Sequence, residues 1–240
     1  MSISLSGRAA LVMGVEMPAA RAVAVALAEA GADVAVAATR DVPELAVAAH
    51  SCANEVWAIG RRSLATAVEA TDADRVEALV ERVVQEMGRL DVLVNGHDLP
   101  GGQPLLEISP EEWRRLLEAN LTAIYLAARA AGRAMLVQGG GRVINLVRWP
   151  GEEAAGGEAY SIAKEGVLAL TRALGREWRR HGIAVNMVGY RAPLQEAAHR
   201  QEAASHLGPA WQGLRRAAVY LASGLAEGLS GQAIWVEAGG

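Results

Sequence analysis

Residues 8–38 read RAALVMGVEMPAARAVAVALAEAGADVAVAA. The segment opens with a short apolar run that ends at Gly14, and apolar residues then recur at helical spacing over residues 18–30. Gly31 ends the helical pattern, and a second apolar run follows it. The pattern predicts a strand, a turn, a helix and another strand. Strands joined by a helix lie parallel in one sheet, through a right-handed crossover.

The same alternation of strand and helix patterns continues to the end of the chain. Further strands are predicted at residues 63–68, 90–95, 143–147, 183–188 and 233–237. Further helices are predicted at residues 42–59, 71–87, 109–137, 158–181 and 209–223. We therefore predict an α/β fold, with a single doubly wound, Rossmann-like parallel sheet of about seven strands and helices on both faces. No linker or repeat divides the chain, so one domain over residues 1–240 is expected.

The composition limits the classes of function. With 52% hydrophobic residues, a chain of 240 residues can form a substantial core. A net charge of −4 argues against a broad basic surface for nucleic acid, and no uninterrupted apolar run is long enough for a membrane. The single cysteine, Cys52, excludes an internal disulfide and a cysteine-based zinc site, and no metal site is predicted. Residues 1–8 lack signal-peptide features, so we expect a cytoplasmic protein.

The lysine content of the chain points to one chemically special position. Lys164 is the only lysine, whereas all other basic residues of the Lys+Arg total of 23 are arginines. It follows Tyr160 by four residues, which places both on one face if the segment is helical. A compact ammonium can lower the pKa of a neighbouring phenol, and a guanidinium does not reproduce this arrangement. The pair therefore indicates a catalytic site.

Four segments in a fixed order carry a resemblance to a known family. They are LDVLVN at residues 90–95, LEAN at 117–120, YSIAK at 160–164, and GLSGQ with VEAGG within 228–240. In this order they resemble the short-chain dehydrogenase/reductase family, and the match covers nearly the whole chain. The resemblance implies transfer of a hydride between NAD(P) and a carbonyl or alcohol carbon.

The resemblance implies catalytic roles for three residues. Tyr160 matches the general acid/base of the family, and Lys164 matches the lysine that lowers the pKa of this tyrosine and bonds the nicotinamide ribose. Asn120 matches the asparagine that holds a water in the proton relay. Residues 190–207 resemble the segment that covers the substrate.

The resemblance also implies cofactor-binding residues. Gly14 matches the first glycine of the phosphate-binding turn, and Asn95 opens the segment after the fourth strand that lies near the cofactor. Glu69 stands where an acid contacts adenine. Arg40 stands where NADP-dependent members keep a basic residue for the 2′-phosphate. Lys164 belongs to this set as well, through the ribose.

Several positions depart from the family pattern. Arg148 occupies the position of the serine that orients the substrate, or Val147 does if the alignment shifts by one, and neither can replace a hydroxyl. The phosphate-binding turn keeps only its first glycine and contains Glu16 and Pro18. Asp98 replaces the last glycine of the family's N-N-A-G segment. Both carboxylates are expected to oppose a bound diphosphate, so NAD(P) binding is expected to be weak or absent.

Three hypotheses follow. The first is a non-catalytic or weakly active subunit that joins an active homologue in a dimer or tetramer. The degenerate subunits of hydroxyacyl-CoA dehydrogenases in aromatic-compound degradation are an example of that kind. The alternative is an active NADP-dependent reductase that uses Tyr160, Lys164 and Asn120, with Arg148 binding an acidic substrate. The third is a small-molecule binding protein or sensor that uses the same crevice without chemistry.

Overall fold

The strands of the protein form one parallel sheet. The computed structural model describes residues 3–101, 103–149, 157–191, 208 and 211–237. Within these residues the strands are β1 Ala9–Met13, β2 Asp33–Ala38, β3 Ser63–Ala67, β4 Val92–Asn95, β5 Gly141–Trp149, β6 Ile183–Arg191 and β7 Ala233–Val236. Their order across the sheet is β3-β2-β1-β4-β5-β6-β7, and every neighbouring pair is parallel. The predicted doubly wound sheet is confirmed.

Helices cover both faces of the sheet. In the described residues they are α1 Pro18–Glu29, α2 Pro43–Ala58, α3 Ala73–Met87, α4 Pro110–Leu117, α5 Ala123–Gln138, α6 Glu158–Trp178 and α7 Gln212–Ala222. Along β1, Ala10 and Val12 pack in a core with α1, α2 and α7, whereas Leu11 and Met13 pack in a second core with α3 and α5. Successive side chains of a strand point to opposite faces of the sheet. A strand between two layers of helices is therefore buried on both faces.

The helix ends follow local sequence signals. Asp72 caps α3 by accepting from the backbone N–H groups of Asp74 and Arg75. Ser109 caps α4 by accepting from the Glu112 N–H. Helices α3 and α5 end at glycines with positive φ.

Two features differ from the prediction. The helix expected over residues 109–137 is interrupted by a π-helical segment, Glu118–Thr122, that joins α4 to α5. Strand β6 continues through Tyr190 to Arg191, two residues that were expected to begin the irregular substrate-covering segment. The remainder of that segment, residues 192–207, lies outside the described residues.

No helix in the described ranges combines the length and apolarity that crossing a bilayer requires. Over the same ranges, no group of three or more His, Cys, Asp or Glu side chains is arranged to hold a metal ion.

Candidate active site

The candidate site lies at the carboxyl ends of the central strands. Met13, Asn95 and Asn145 are level with one another across β1, β4 and β5, so these three parallel strands end at the same edge of the sheet. Beyond Asn95 the chain continues without regular structure, and β5 extends to Trp149 at the same edge. The crevice outside the carboxyl ends of parallel strands is the usual ligand site of such sheets.

Three side chains meet at this edge around the carboxylate of a fourth. We call Asp98, Arg148, Tyr160 and Lys164 the Asp98 cluster. Asp98 Oδ1 accepts from Tyr160 Oη at 2.5 Å and lies 3.0 Å from Lys164 Nζ. Asp98 Oδ2 accepts from Arg148 Nε at 2.7 Å. The Lys164 side chain is fully buried, and those of Asp98 and Arg148 keep only 8% and 12% of their exposure.

Helix α6 presents Tyr160 and Lys164 on one face, as their spacing predicts. The resemblance implies that Lys164 lowers the pKa of Tyr160, but the surroundings of Tyr160 have the opposite effect. Burial, followed by the negative charge of Asp98, raises the pKa of Tyr160 above its ordinary value. Burial alone would raise the pKa of Asp98, but Lys164 and Arg148 outweigh it and lower this pKa. The charge of Lys164 therefore neutralises Asp98. A phenol with a raised pKa is a poorer general base at neutral pH.

Asn120 holds the loop that carries Asp98. It lies in the π-helical segment and is fully buried. Its Nδ2 donates to the carbonyl oxygens of Leu99 at 2.8 Å and Leu116 at 3.1 Å, and its Oδ1 accepts from the Leu99 N–H at 2.9 Å. Both amide protons are thus used by the backbone. π-helical turns are frequent at functional sites, and here the turn aims Asn120 at the loop after β4.

The predicted cofactor-binding residues do not all lie in one cavity. Arg40 and Glu69 line a cavity of about 310 Å³ at the ends of the strands. Gly14 forms the turn after β1 with a φ of +86°, a conformation that favours glycine. Asn95 is not in this cavity: it is buried and donates through Nδ2 to Asn145 Oδ1 at 2.9 Å.

Glu16 bends back onto the chain at the edge of the same cavity. Its Oε1 accepts from the backbone N–H of Thr39 at 3.1 Å and from the Thr39 hydroxyl. Its Oε2 is buried and has no hydrogen-bond partner within the described residues. The carboxylate is therefore turned toward the end of β2, beside the cavity, and not into open solvent.

Sequence reasoning identified most of these residues but missed how they combine. Asp98 and Arg148 were recognised only as two separate departures from the family pattern. The available signal was the pair of opposite charges: an acid replaces a glycine, and a base replaces a serine. Both positions belong to the site of the sole lysine, so the two charges could balance each other. The ring of His97 is also buried at the cavity, without a hydrogen-bond partner among the described residues, and no comparable sequence signal pointed to this arrangement.

The family assignment rests on sequence as well as geometry. The family model for short chain dehydrogenases matches residues 8–199. The chain belongs to the short-chain dehydrogenase family. Proteins of this family are oxidoreductases that use NAD(P), and the observed sheet, with its tyrosine and lysine on α6, is the scaffold expected for a short-chain dehydrogenase.

Relatives of this short-chain dehydrogenase include two enzymes. The 2-dehydro-3-deoxy-D-gluconate 5-dehydrogenase of Escherichia coli is 31% identical over 254 residues, covering 99% of this chain and 97% of the relative. The 3-oxoacyl-(acyl-carrier-protein) reductase of Synechocystis is 32% identical over 186 residues, covering 77% of this chain and 74% of the relative. The crystal structure of a short-chain type dehydrogenase/reductase from Mycobacterium marinum superposes with a TM-score of 0.86 at 29% identity, covering 99% and 96% of the two chains.

Ala20 stands where the short-chain dehydrogenase pattern has the last glycine of the phosphate-binding turn, so this chain carries an additional methyl group there. Ala20 is tolerated because residue 96 is glycine. A Cβ added to Gly96 would lie 2.5 Å from the Ala20 Cβ and 2.9 Å from the Met13 carbonyl oxygen. The two positions therefore constrain each other sterically.

This contact predicts a specific loss of stability. Gly96→Ala should lower the free energy of unfolding by about 1–3 kcal/mol, because the added methyl overpacks the junction of β4 and α1. Urea denaturation measures this change. Gly224→Ala is the matched control, since no atom of the described residues lies within 4 Å of its Cβ position. Adding Ala20→Gly should recover part of the loss, and equal effects of Gly96→Ala and Gly224→Ala would contradict the steric explanation.

Proposed function

We propose that this chain is a short-chain dehydrogenase subunit whose own redox centre is closed by Asp98. Alone, it is silent or weakly active, and it serves as the partner of an active homologue. One observation carries this proposal: a single carboxylate accepts from Tyr160 and Arg148 and pairs with Lys164. The family reaction needs Tyr160 and Lys164 free, and Arg148 stands at the position of the family serine.

The geometry supports a closed centre for three reasons. The Tyr160 hydroxyl, which would have to reach the substrate oxygen, donates to Asp98 at 2.5 Å. Its raised pKa opposes proton abstraction near neutral pH. Arg148 carries a fixed positive charge where the family places a hydroxyl that both donates and accepts.

The residues at the strand ends also fit NAD(P) poorly. Asp98 fills the space between Tyr160, Lys164 and Arg148, so a nicotinamide ring beside Tyr160 would meet its carboxylate. Glu16 adds a second carboxylate beside the phosphate-binding turn. Repulsion between carboxylates and a diphosphate in partly desolvated space costs on the order of 1–4 kcal/mol. We therefore assign no reaction step to a dinucleotide in this chain.

A partner role is supported by apolar side chains left exposed on α5 and α6. Tyr125 and Leu136 on α5 are 41% and 51% exposed, and Ile162 on α6 is 45% exposed. The resemblance implies that dimers form through the helix of the asparagine segment and the helix that carries the tyrosine, and α5 and α6 occupy these places here. A second short-chain subunit would bury them. Native mass spectrometry of the complex purified from its own cells tests this role, since a hetero-oligomer with a second short-chain subunit is expected.

Dinucleotide titration tests the closed centre. Wild-type protein should show no saturable binding of NADPH or NADH below about 1 mM by calorimetry. The double variant Asp98→Gly with Arg148→Ser removes the cluster's carboxylate together with one of its cations, and should bind NADPH at least about tenfold more tightly. Asp41→Gly with Arg75→Ser is the matched control, because it removes an exposed pair of the same residue types. Micromolar binding by the wild type would overturn the proposal.

The second candidate is an active NAD(P)-dependent reductase, and the comparisons favour it over the closed subunit. Related chains are a 3-oxoacyl-(acyl-carrier-protein) reductase and a 2-dehydro-3-deoxy-D-gluconate 5-dehydrogenase. The chain keeps Tyr160, Lys164 and Asn120, and Arg40 lines the cavity where a 2′-phosphate of NADP would be neutralised. The same titration separates the candidates, because an active reductase must bind NADPH tightly and oxidise it with a carbonyl substrate.

A further inference from the structure

Arg148 is held by its Nε atom, while the rest of its guanidinium has no hydrogen-bond partner among the described residues. Its Nε donates to Asp98 at 2.7 Å, and its guanidinium carbon lies 5.5 Å from the centre of the Tyr160 ring. These two contacts orient the guanidinium plane. Neither Nη atom has a hydrogen-bond partner among the described residues, and the side chain retains 12% exposure. The outer edge of the guanidinium is therefore pre-oriented, and no described residue occupies its donors.

The charges around Arg148 do not balance. The Asp98 cluster contains one carboxylate and two cations, and its remaining member is a neutral phenol. His97 adds no compensating charge, because burial and the nearby Lys164 lower its pKa to about 3 and keep the ring neutral. Tyr190 is a buried neutral phenol whose pKa is raised by burial. Within the described residues, the cluster thus carries one surplus positive charge in a poorly solvated place, where an unpaired charge is costly.

We propose that the free Nη edge of Arg148 binds the carboxylate group of an external small molecule. A carboxylate matches the two parallel N–H donors of a guanidinium, and its single negative charge balances the cluster. Asp98 occupies Nε, so the external carboxylate binds end-on to the two Nη atoms. This inference does not rest on the closed redox centre, since a carboxylate can dock at Arg148 whether or not hydride transfer takes place.

Calorimetric titration with isosteric probes tests the proposal. Benzoate should bind the wild type at least about tenfold more tightly than benzamide, which has the same shape without the charge. Arg148→Lys keeps the positive charge beside Asp98 but loses the planar pair of donors, so benzoate affinity should fall about tenfold. Arg216→Lys is the matched control on the exposed surface of α7 and should leave the affinity unchanged. Thermal unfolding verifies that both variants are folded.

Several results would overturn the proposal. Equal affinities for benzoate and benzamide would remove the requirement for a charge, and an unchanged affinity in Arg148→Lys would place the benzoate elsewhere. Glu152 and Glu153 follow Arg148 closely in sequence and lie outside the described residues. If benzoate binds only after both are changed to glutamine, the chain itself supplies the counter-charge. NADPH binding by the wild type would overturn the closed centre without affecting the benzoate result, so the two proposals fail separately.

Discussion

Replacing Asp98 by asparagine should lower the free energy of unfolding by about 3–5 kcal/mol. Asparagine keeps the size of the side chain but removes the charge that balances Arg148 and Lys164, which lie 2.7 Å and 3.0 Å from the carboxylate. Two buried cations would then face each other without a counter-charge. Urea denaturation monitored by circular dichroism measures the loss.

Two further variants test whether charge imbalance causes this loss. Asp41→Asn removes one partner of the exposed Asp41–Arg75 pair, and such surface pairs contribute no more than about 1 kcal/mol. Combining Asp98→Asn with Lys164→Met removes one charge of each sign, so it should cost less than the sum of the single changes. A loss below that of the surface control would show that Asp98 is not needed as a buried counter-charge.

Stability should fall as the pH is lowered from 6.5 to 5, and His97 is the expected cause. Burial, together with the charge of Lys164, lowers the pKa of His97 to about 3 in the folded protein. In this pH range the unfolded chain binds a proton at His97 and the folded protein does not. The free energy of unfolding should therefore decrease with a slope that rises from about 0.7 to about 1.4 kcal/mol per pH unit, or by about 1.7 kcal/mol over the range.

The His97→Leu variant should lack most of this pH dependence. Leucine fills the buried position without a group that titrates, and both ring nitrogens of His97 lack partners among the described residues, so no hydrogen bond is lost. Exposed His50 is the control, and His50→Asn should keep the wild-type profile. Carboxylates such as Asp98, whose pKa is lowered, affect stability mainly below pH 4, outside the range compared. An unchanged slope in His97→Leu would assign the effect to other groups.

The sheet and its helices were predictable because the sequence patterns that indicate them span only neighbouring residues. Apolar periodicity predicted β1 and α1, and the starts of α3 and α4 lie within two residues of the predicted positions 71 and 109. Tyr160 and Lys164 meet because a spacing of four on a helix fixes their relative direction. Each of these inferences uses a stretch of sequence shorter than about five helical turns.

The arrangement within the site was not predictable, because it depends on contacts between distant segments. Asp98 is 50 residues from Arg148 and 62 from Tyr160, and only the sheet brings the end of β4 beside β5 and α6. The π-helical turn at Asn120 has the same origin. The Asn120 side chain accepts a hydrogen bond from the backbone of Leu99, 21 residues away, and no local sequence pattern predicts that contact. Sequence alone treated Asp98 and Arg148 as two unrelated losses.

The complete burial of Lys164 also determines how the protein reacts with reagents that modify amines. Acylating dyes and crosslinkers act on accessible, uncharged ε-amines, and this is the one ε-amine in the sequence. While the protein stays folded, such reagents find no side-chain target. Modification at this position thus marks molecules in which the end of β4 has separated from α6.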